Sequence, residues 1–488
     1  MKIINRISIV LLLGGIFACE SFTEDLRIDP NRPLDADATN MIQGPMVANQ
    51  LFHAGEVARL VGLWTNHFTG QDRQYVGLND WNTTASTDFD SPWGTAYYGI
   101  ITQSRIAADK AIAEGNPALA GIAQVLEAHA MGTVTSLWGD VPFTEAADDT
   151  NPNPAYDSQS DVYTGLQNLL DDAITNLAAG GPGISSAKDI FYGGNLASWT
   201  ELAYTLKARY YLHTGDYADA ATNAALGISS AANDMIADFG AGYGTSFNPY
   251  YSFLVYDRSG YMGAMDAYAP TIMDPDGNFA NTYGGANRNH AKHDEGARFY
   301  YYYEPFEYYT AGYEPNFLNG FDWGCQDCGR FGEDFPLVTY GETLLIIAEA
   351  EARLNGLSAG VTAYNTYRAL INGGYGFTTN LGVTTWDFQA YVDADFNPGG
   401  LEDPGSTASS PVNALLREIY EERYISLAGT VEPFTDLRRT NNIAEIQLKN
   451  FSGVPQRLIY PQSEINTNTS TPSPLPDVLT ATEVHGGS

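Results

Sequence analysis

Leu126, Ala130, Val134 and Leu137 recur at helical spacing and run straight into Leu137-Trp138-Gly139-Asp140-Val141-Pro142-Phe143-Thr144-Glu145-Ala146. The spacing predicts a buried helix, and the residues that follow stop it. Gly139 can take positive φ and end the helix, and Pro142 forbids its resumption. Trp138 offers a large apolar body at the turn, and Asp140 an acceptor for backbone donors that the helix end leaves free. On chemistry alone this is a well-built helix stop rather than a ligand site, because turns of this make-up are common.

The same period returns along most of the chain. Helices are expected over residues 41–68, 93–113, 118–137, 162–177 and 415–427. Asn195 is a good N-cap for a stripe of Leu196, Trp199, Leu202, Leu206 and Tyr210. A Thr214-Gly215-Asp216 turn then leads to the small residues Ala218, Ala220 and Ala221, which let two helices pack closely. This helix–turn–helix unit resembles a tetratricopeptide hairpin, and residues 340–354 with 361–370 repeat the design. The fold class expected is mainly α, with tetratricopeptide-like hairpins forming one scaffold, long irregular loops and a few short strands.

Two stretches break the pattern. Residues 69–93 read as a loop, and loops this long inside a compact domain are functional or disordered. Residues 234–336 are rich in Tyr, Gly, Asn and Asp, and Tyr runs such as Phe299-Tyr300-Tyr301-Tyr302-Tyr303 are expected on strand faces. Asp274, Asp276 and Asn278 alternate as in a calcium loop. The glycine stands at the wrong place for an EF-hand and no terminal Glu follows, so a plain turn is the better reading. His290 and His293 are close in sequence, but loop polarity accounts for them better than metal binding. No metal or other cofactor is called for.

Charge and cysteines bound the function. Asp and Glu number 58 against 24 Lys and Arg, which excludes nucleic acid and anionic lipid headgroups as partners. Charged residues are 17% of the chain, below the roughly 25% of ordinary soluble domains, and 32 Tyr with many Gly, Asn, Ser and Thr stand in their place. Lys2 and Arg6, a short apolar core over residues 7–17 and small Ala18 form a lipoprotein signal, despite the bulky Phe17. Residues 1–18 are thus expected to be removed, and Cys19 becomes the lipidated first residue of a polar tether over residues 19–37. The body is a single domain over residues 38–488, with residues 234–336 as its loop-rich insertion. Cys325 and Cys328, in C-Q-D-C, are expected to form a local disulfide in an exported protein.

Three further segments follow in order near the C-terminus: Glu421-Glu422-Arg423-Tyr424, then Glu432-Pro433-Phe434-Thr435-Asp436-Leu437-Arg438-Arg439, then Arg457 through Tyr460-Pro461-Gln462-Ser463-Glu464 to Asn466. With the W-G-D-V-P-F-T-E-A element and Asp29-Pro30-Asn31-Arg32-Pro33 they resemble motifs of the SusD/RagB family of outer-membrane nutrient-binding lipoproteins, in the SusD-like branch. Asn466 falls earlier after Glu464 than the family pattern asks. Glu20, Glu24 and Asp25 likewise resemble the surface-export signals of Bacteroidetes lipoproteins, and a solvated linker accounts for the same charges equally well. The C-terminal Arg and Glu residues are expected to form buried ion pairs and cap contacts that fix this lobe.

The resemblance implies a lipid-anchored protein on the outer face of the outer membrane. It would act as a lid on a SusC-like TonB-dependent transporter, delivering an oligosaccharide or, alternatively, an oligopeptide. It also implies a ligand site where the loop after the first helices meets the later insertion. On residue type, Trp81 is the stacking platform expected there, with Tyr75 beside it and Arg73, Asp80 and Asn82 as polar partners. Trp323, Arg288 and His290 are the matching set from the insertion. A secreted glycoside hydrolase is the competing class, but there is no G-x-S-x-G, HExxH or P-loop, and sequence pairs no two carboxylates. No enzymatic step is expected.

Overall fold

The computed structural model describes residues 36–485 except 80, 149, 241–245, 265, 276–286, 304, 307–313, 316–333, 378–382, 404, 406–409 and 450–452; of 82, 255, 305–306 and 314–315 it describes the backbone alone. The signal, Cys19 and nearly all of the tether therefore lie outside the described residues, as do Asp276, Asn278, Cys325 and Cys328.

In chain order the first elements are α1 (Gln43–His53), α2 (Glu56–Trp64), β1 (Thr69–Gly70), α3 (Thr102–Ala113), α4 (Pro117–Trp138) and α5 (Gln159–Ala179). Then come α6 (Leu196–Thr214), α7 (Tyr217–Ala224), β2 (Met235–Ala237), β3 (Met262–Gly263), β4 (His293–Asp294) and α8 (Gly296–Tyr302). Among the later elements are β5 (Phe335–Val338), α9 (Tyr340–Asn355), α10 (Leu357–Asn372), β6 (Asp387–Phe388), α11 (Pro411–Ser426) and α12 (Glu432–Arg439), and shorter helices such as Ala38–Met41, Tyr268–Met273 and Gln462–Thr467 stand before, between and after the numbered elements. The strands pair antiparallel as β1–β3, β2–β5 and β4–β6. The fold is mainly α, and its strands serve as staples between distant segments.

Helix α4 is buried on every side from Ala118 to Trp138, which its apolar composition requires. Asn116 caps it through its side chain, which accepts from Leu119 N at 3.3 Å, with Pro117 at the first helical position. Small residues let neighbours approach closely. A Cβ at Gly132 would stand 2.2 Å from the Tyr210 ring of α6, and Tyr210 donates to Ala128 O at 2.7 Å. The hairpins α6–α7 and α9–α10 form where periodicity placed them, turning at Gly215 (φ 79°) and Gly356 (φ 84°). Between α1 and α2 the expected continuous helix breaks at Gly55, where a Cβ would lie 2.0 Å from Leu51 O.

The stop after α4 is held by the end of the chain. Gly139 takes φ 81°, Trp138 Nε1 donates to Ile459 O at 3.0 Å, and Arg457 donates to Trp138 O. Contrary to expectation, Asp140 does not serve its own turn; it accepts from Gln159 N at 3.0 Å, at the first residue of α5. Asp157 instead takes the local donors, Phe143 N at 2.9 Å and Thr144 N at 2.8 Å.

Two irregular stretches are more ordered than their composition implied. Residues 69–93 contain β1, the short helix Gln74–Leu78 and tight helical turns, because Tyr75, Leu78, Trp81 and Phe89 are all drawn into the core. The Tyr run of the insertion forms α8 rather than a strand: Phe299, Tyr301 and Tyr302 are buried on a helix. Aromatic β-propensity loses there to packing. The C-terminal ion pairs form as expected, with Arg423 donating to Asp436 at 2.6 Å and Arg439 to Glu349 at 2.7 Å. No helix among the described residues is long and apolar enough to cross a membrane.

Candidate functional site

The loop after the first helices does meet the later insertion, and backbone joins them. Thr69 pairs with Gly263 and Gly70 with Met262, while Gln71 N donates to Tyr261 O at 2.8 Å. Asn66, at φ 59°, aims the chain across: its carbonyl accepts from Tyr268 N at 2.9 Å. Tyr75 sits inside the junction, its ring 4.8 Å from Phe253 and 6.3 Å from Tyr261. Burial pushes its hydroxyl up, and neighbouring Arg59 works against that. The Arg59 guanidinium lies over Phe253 at 4.3 Å.

On the surface of this junction stand Arg73 and Tyr256. Arg73 takes φ 50°, a left-handed conformation that a non-glycine residue rarely adopts, and its side chain is 68% exposed. Its guanidinium lies 5.8 Å from the Tyr261 ring and 3.6 Å from the Asp72 carboxylate. Tyr256, 60% exposed, rises from the π-helical turn Ser252–Asp257 with its ring 5.4 Å from Phe247. Beside the Phe253 ring a cleft of ≈ 380 Å³ opens between Leu51, Glu56 and Arg59 on one side and Phe247 and Asp257 on the other; neither Arg73 nor Tyr256 lines it. Burial raises the Glu56 carboxyl, with Arg59 opposing. The arrangement offers aromatic faces and charged hydrogen-bonding groups of both signs on loops held by a rigid scaffold.

The site residues expected from sequence are divided by the structure. Arg73 and Tyr75 both belong to this junction, but Tyr75 is a correction: it is 3% exposed and packed between Phe253 and Tyr261 rather than offered to a ligand. Trp81 is a correction: it is 1% exposed, packed edge-on against Trp64 at 6.5 Å, and has no face on which a ligand can stack. Its period in the sequence is irregular, so nothing there announced that tertiary packing would claim it. Asp80 and Trp323 lie outside the described residues, and of Asn82 only the backbone is described. Tyr256, Tyr261 and Phe253 were missed. The Asn248-Pro249-Tyr250-Tyr251 run just upstream marked the neighbourhood, but Tyr250 and Tyr251 themselves are buried.

Arg288 and His290 go elsewhere. Arg288 is buried and faces four carboxylates: Glu422 at 3.0 Å, Glu421 at 3.1 Å, and Glu418 and Glu295 at 3.3 Å. Arg298 of α8 adds pairs to Glu422 at 2.5 Å and Glu295 at 2.6 Å. His290 meets Glu402 at 2.9 Å, where the Tyr391 hydroxyl also donates at 2.6 Å. The Arg288 and Arg298 pairs tie the loop before β4 and α8 to α11, so Arg288 is corrected from ligand contact to structural pairing, while His290, half-buried, is held by Glu402 away from the junction. His293, Glu295 and Glu422 bring ligand atoms within 4.8 Å of one another, a set that could hold a cation. Here the guanidiniums of Arg288 and Arg298 already supply the positive charge, so the set reads as an ion-pair network.

Residues 37–245 match the SusD-like sequence family described as starch-binding and associating with the outer membrane. No curated protein matches the chain. Among solved structures it is similar to a SusD/RagB family protein from Bacteroides thetaiotaomicron VPI-5482, at 21% identity over 89% of this chain and 95% of that one, TM-score 0.63. A SusD-like protein from the same organism gives 17% identity over 89% and 94%, TM-score 0.65. A chitin-binding SusD homologue from Flavobacterium johnsoniae gives 16% identity over 92% and 99%, TM-score 0.62. The chain thus carries the SusD-like family match in its N-terminal part and has the SusD/RagB fold over most of its length.

Proposed function

We propose that this protein is a lipid-anchored, outward-facing receptor of the outer membrane that captures an oligosaccharide and passes it to a TonB-dependent transporter of the SusC type. The observation that carries the reading is the junction itself. Arg73 and Tyr256 stand exposed on the loops around the β1–β3 staple, and the ≈ 380 Å³ cleft opens next to it along Arg59 and Phe253, while the helical hairpins spend their apolar faces on each other. The family description supplies starch binding and outer-membrane association, and one similar structure is a chitin-binding SusD homologue. Aromatic faces stack on sugar rings, and Arg, Asp and Glu hydrogen-bond hydroxyls. The reading needs no covalent step, and binding leaves the cargo intact.

Calorimetry on the mature chain with a panel of neutral oligosaccharides tests it. One member of the panel binds, and the double variant Arg73→Ala with Tyr256→Ala loses about tenfold in affinity at unchanged melting temperature, corresponding to about 1.4 kcal/mol. Equal affinity in the double variant and wild type would remove the site, and shortening of the bound oligomer would restore the hydrolase.

A further inference from the structure

A second cleft, of ≈ 350 Å³, opens where the helix stop after α4 faces the π-helical turn Thr95–Ile101 and the short helix Gln462–Thr467. We infer that it is a saccharide subsite in which one pyranose ring of a neutral oligosaccharide stacks on Tyr98. The inference deepens the receptor reading above, on which the class of ligand rests, but its residues are separate from the junction.

Tyr98 is 77% exposed, the highest value among the exposed large apolar and aromatic side chains of the described residues, and its ring lines the cleft. A single exposed tyrosine is ordinary. This one stands on a rigid and costly base. The π-helical turn is rare, and such turns cluster at functional sites. It is pinned next to Tyr98 through Tyr97, whose OH donates to Pro142 O at 2.8 Å and whose ring lies 4.6 Å from that of Trp93.

The opposite wall is equally fixed. Arg105 donates to Ala146 O at 2.6 Å and to Phe143 O at 2.8 Å while pairing with Glu127 at 2.6 Å. That grip holds Ala147 at φ 66°, a strained conformation for a residue with a Cβ. Pro142, Pro152 and Pro154 line the cleft beside it and have no backbone N–H to satisfy.

The polar groups decide what fits. Glu464 accepts on Oε1 from Asn468 at 2.7 Å and from Tyr156 at 3.2 Å, and among the described residues its Oε2 makes no hydrogen bond. The charged groups lining the cleft are the carboxylates of Asp148 and Glu464. A uronic or sulfated sugar is therefore repelled. A neutral pyranose lays its C–H face on Tyr98 and donates a hydroxyl to Glu464 Oε2. The volume falls within the range of small-ligand pockets. A proline-rich peptide would also meet an aromatic wall, but it has no hydroxyl donor for Glu464.

The test is calorimetry on the mature chain with chitotetraose, maltoheptaose and cellotetraose, and with a decaproline peptide as the competing occupant. The expected result is that at least one oligosaccharide binds, that Tyr98→Ala weakens it about tenfold, and that Tyr98→Phe keeps wild-type affinity because the stacking face remains. Melting temperatures should be equal throughout, since the ring is exposed. A Tyr98→Ala protein that binds the saccharide as wild type does would overturn the subsite, even if Arg73→Ala with Tyr256→Ala loses affinity. Loss in Tyr98→Ala with no loss in that double variant would support the subsite and remove the junction. Binding of decaproline in place of the sugars, or no saccharide bound by the wild type, would overturn the inference.

Discussion

Trp81 shows how one residue's role turns on where its ring ends. An aromatic in an irregular, polar stretch reads as a surface platform, yet the fold seals it against Trp64 with 1% exposure. Trp81→Ala is therefore expected to cost stability, by about 3–5 kcal/mol, rather than ligand affinity. Urea denaturation should show the lower midpoint, while affinity per folded molecule stays at the wild-type value. A normal midpoint with lost affinity would return the ring to the site. Arg288 makes the same point with charge. Three of its four carboxylate neighbours, Glu418, Glu421 and Glu422, come from α11, which only the fold brings to it, so no local spacing could have paired them.

Between elements, two contacts set measurable behaviour. The α4–α6 approach leaves no room at Gly132 for a Cβ, which would meet the Tyr210 ring at 2.2 Å. Helix propensity alone makes Gly→Ala stabilising by about 1 kcal/mol. Here overpacking should reverse the sign, so Gly132→Ala is expected to lower stability by about 1–3 kcal/mol in denaturant titration. The α8–α11 network holds a proton near neutrality. Burial pushes the Glu418 carboxyl up to about 7, with Arg288 opposing and Glu402 adding to the rise. Tyr364 OH donates to the same carboxylate at 2.9 Å. A folded pKa above the unfolded one means stability fully present below the unfolded value, near 4.5, and lost as pH rises through about 7. Melting temperature should fall over that window, and Glu418→Gln should flatten the fall. An identical pH profile in that variant would refute the assignment. Glu349 behaves oppositely. Burial raises it, but Arg439 and Arg353 outweigh burial and hold it at about 2, so its contribution is lost only as pH falls from about 4.5 toward 2.

For the whole molecule, attachment is the first prediction. Cys19 follows basic, apolar and small residues in the order of a lipoprotein signal, and on the receptor reading proposed above Cys19→Ala is expected to shift the protein from the membrane to the soluble fraction on cell fractionation. Retention in the membrane would exclude the lipid as its anchor. By itself the sequence determined the scaffold: α4, α5, α6–α7, α9–α10 and α11 all form where the 3.6-residue period and the caps placed them. That information is local, carried by neighbours three and four positions apart along the chain. It also located the meeting of residues 69–93 with the insertion, through family motifs rather than through spacing. Only the tertiary structure decided which side chains of the irregular segments face water. Trp81 and Arg288 were taken inward, and Arg73, Tyr98 and Tyr256 were left on the surface. The reason is physical. An aromatic or an arginine in an aperiodic loop has no periodic neighbours to tell its buried side from its exposed one, so its fate rests on partners far along the chain, as Arg288 rests on Glu418 and Glu422.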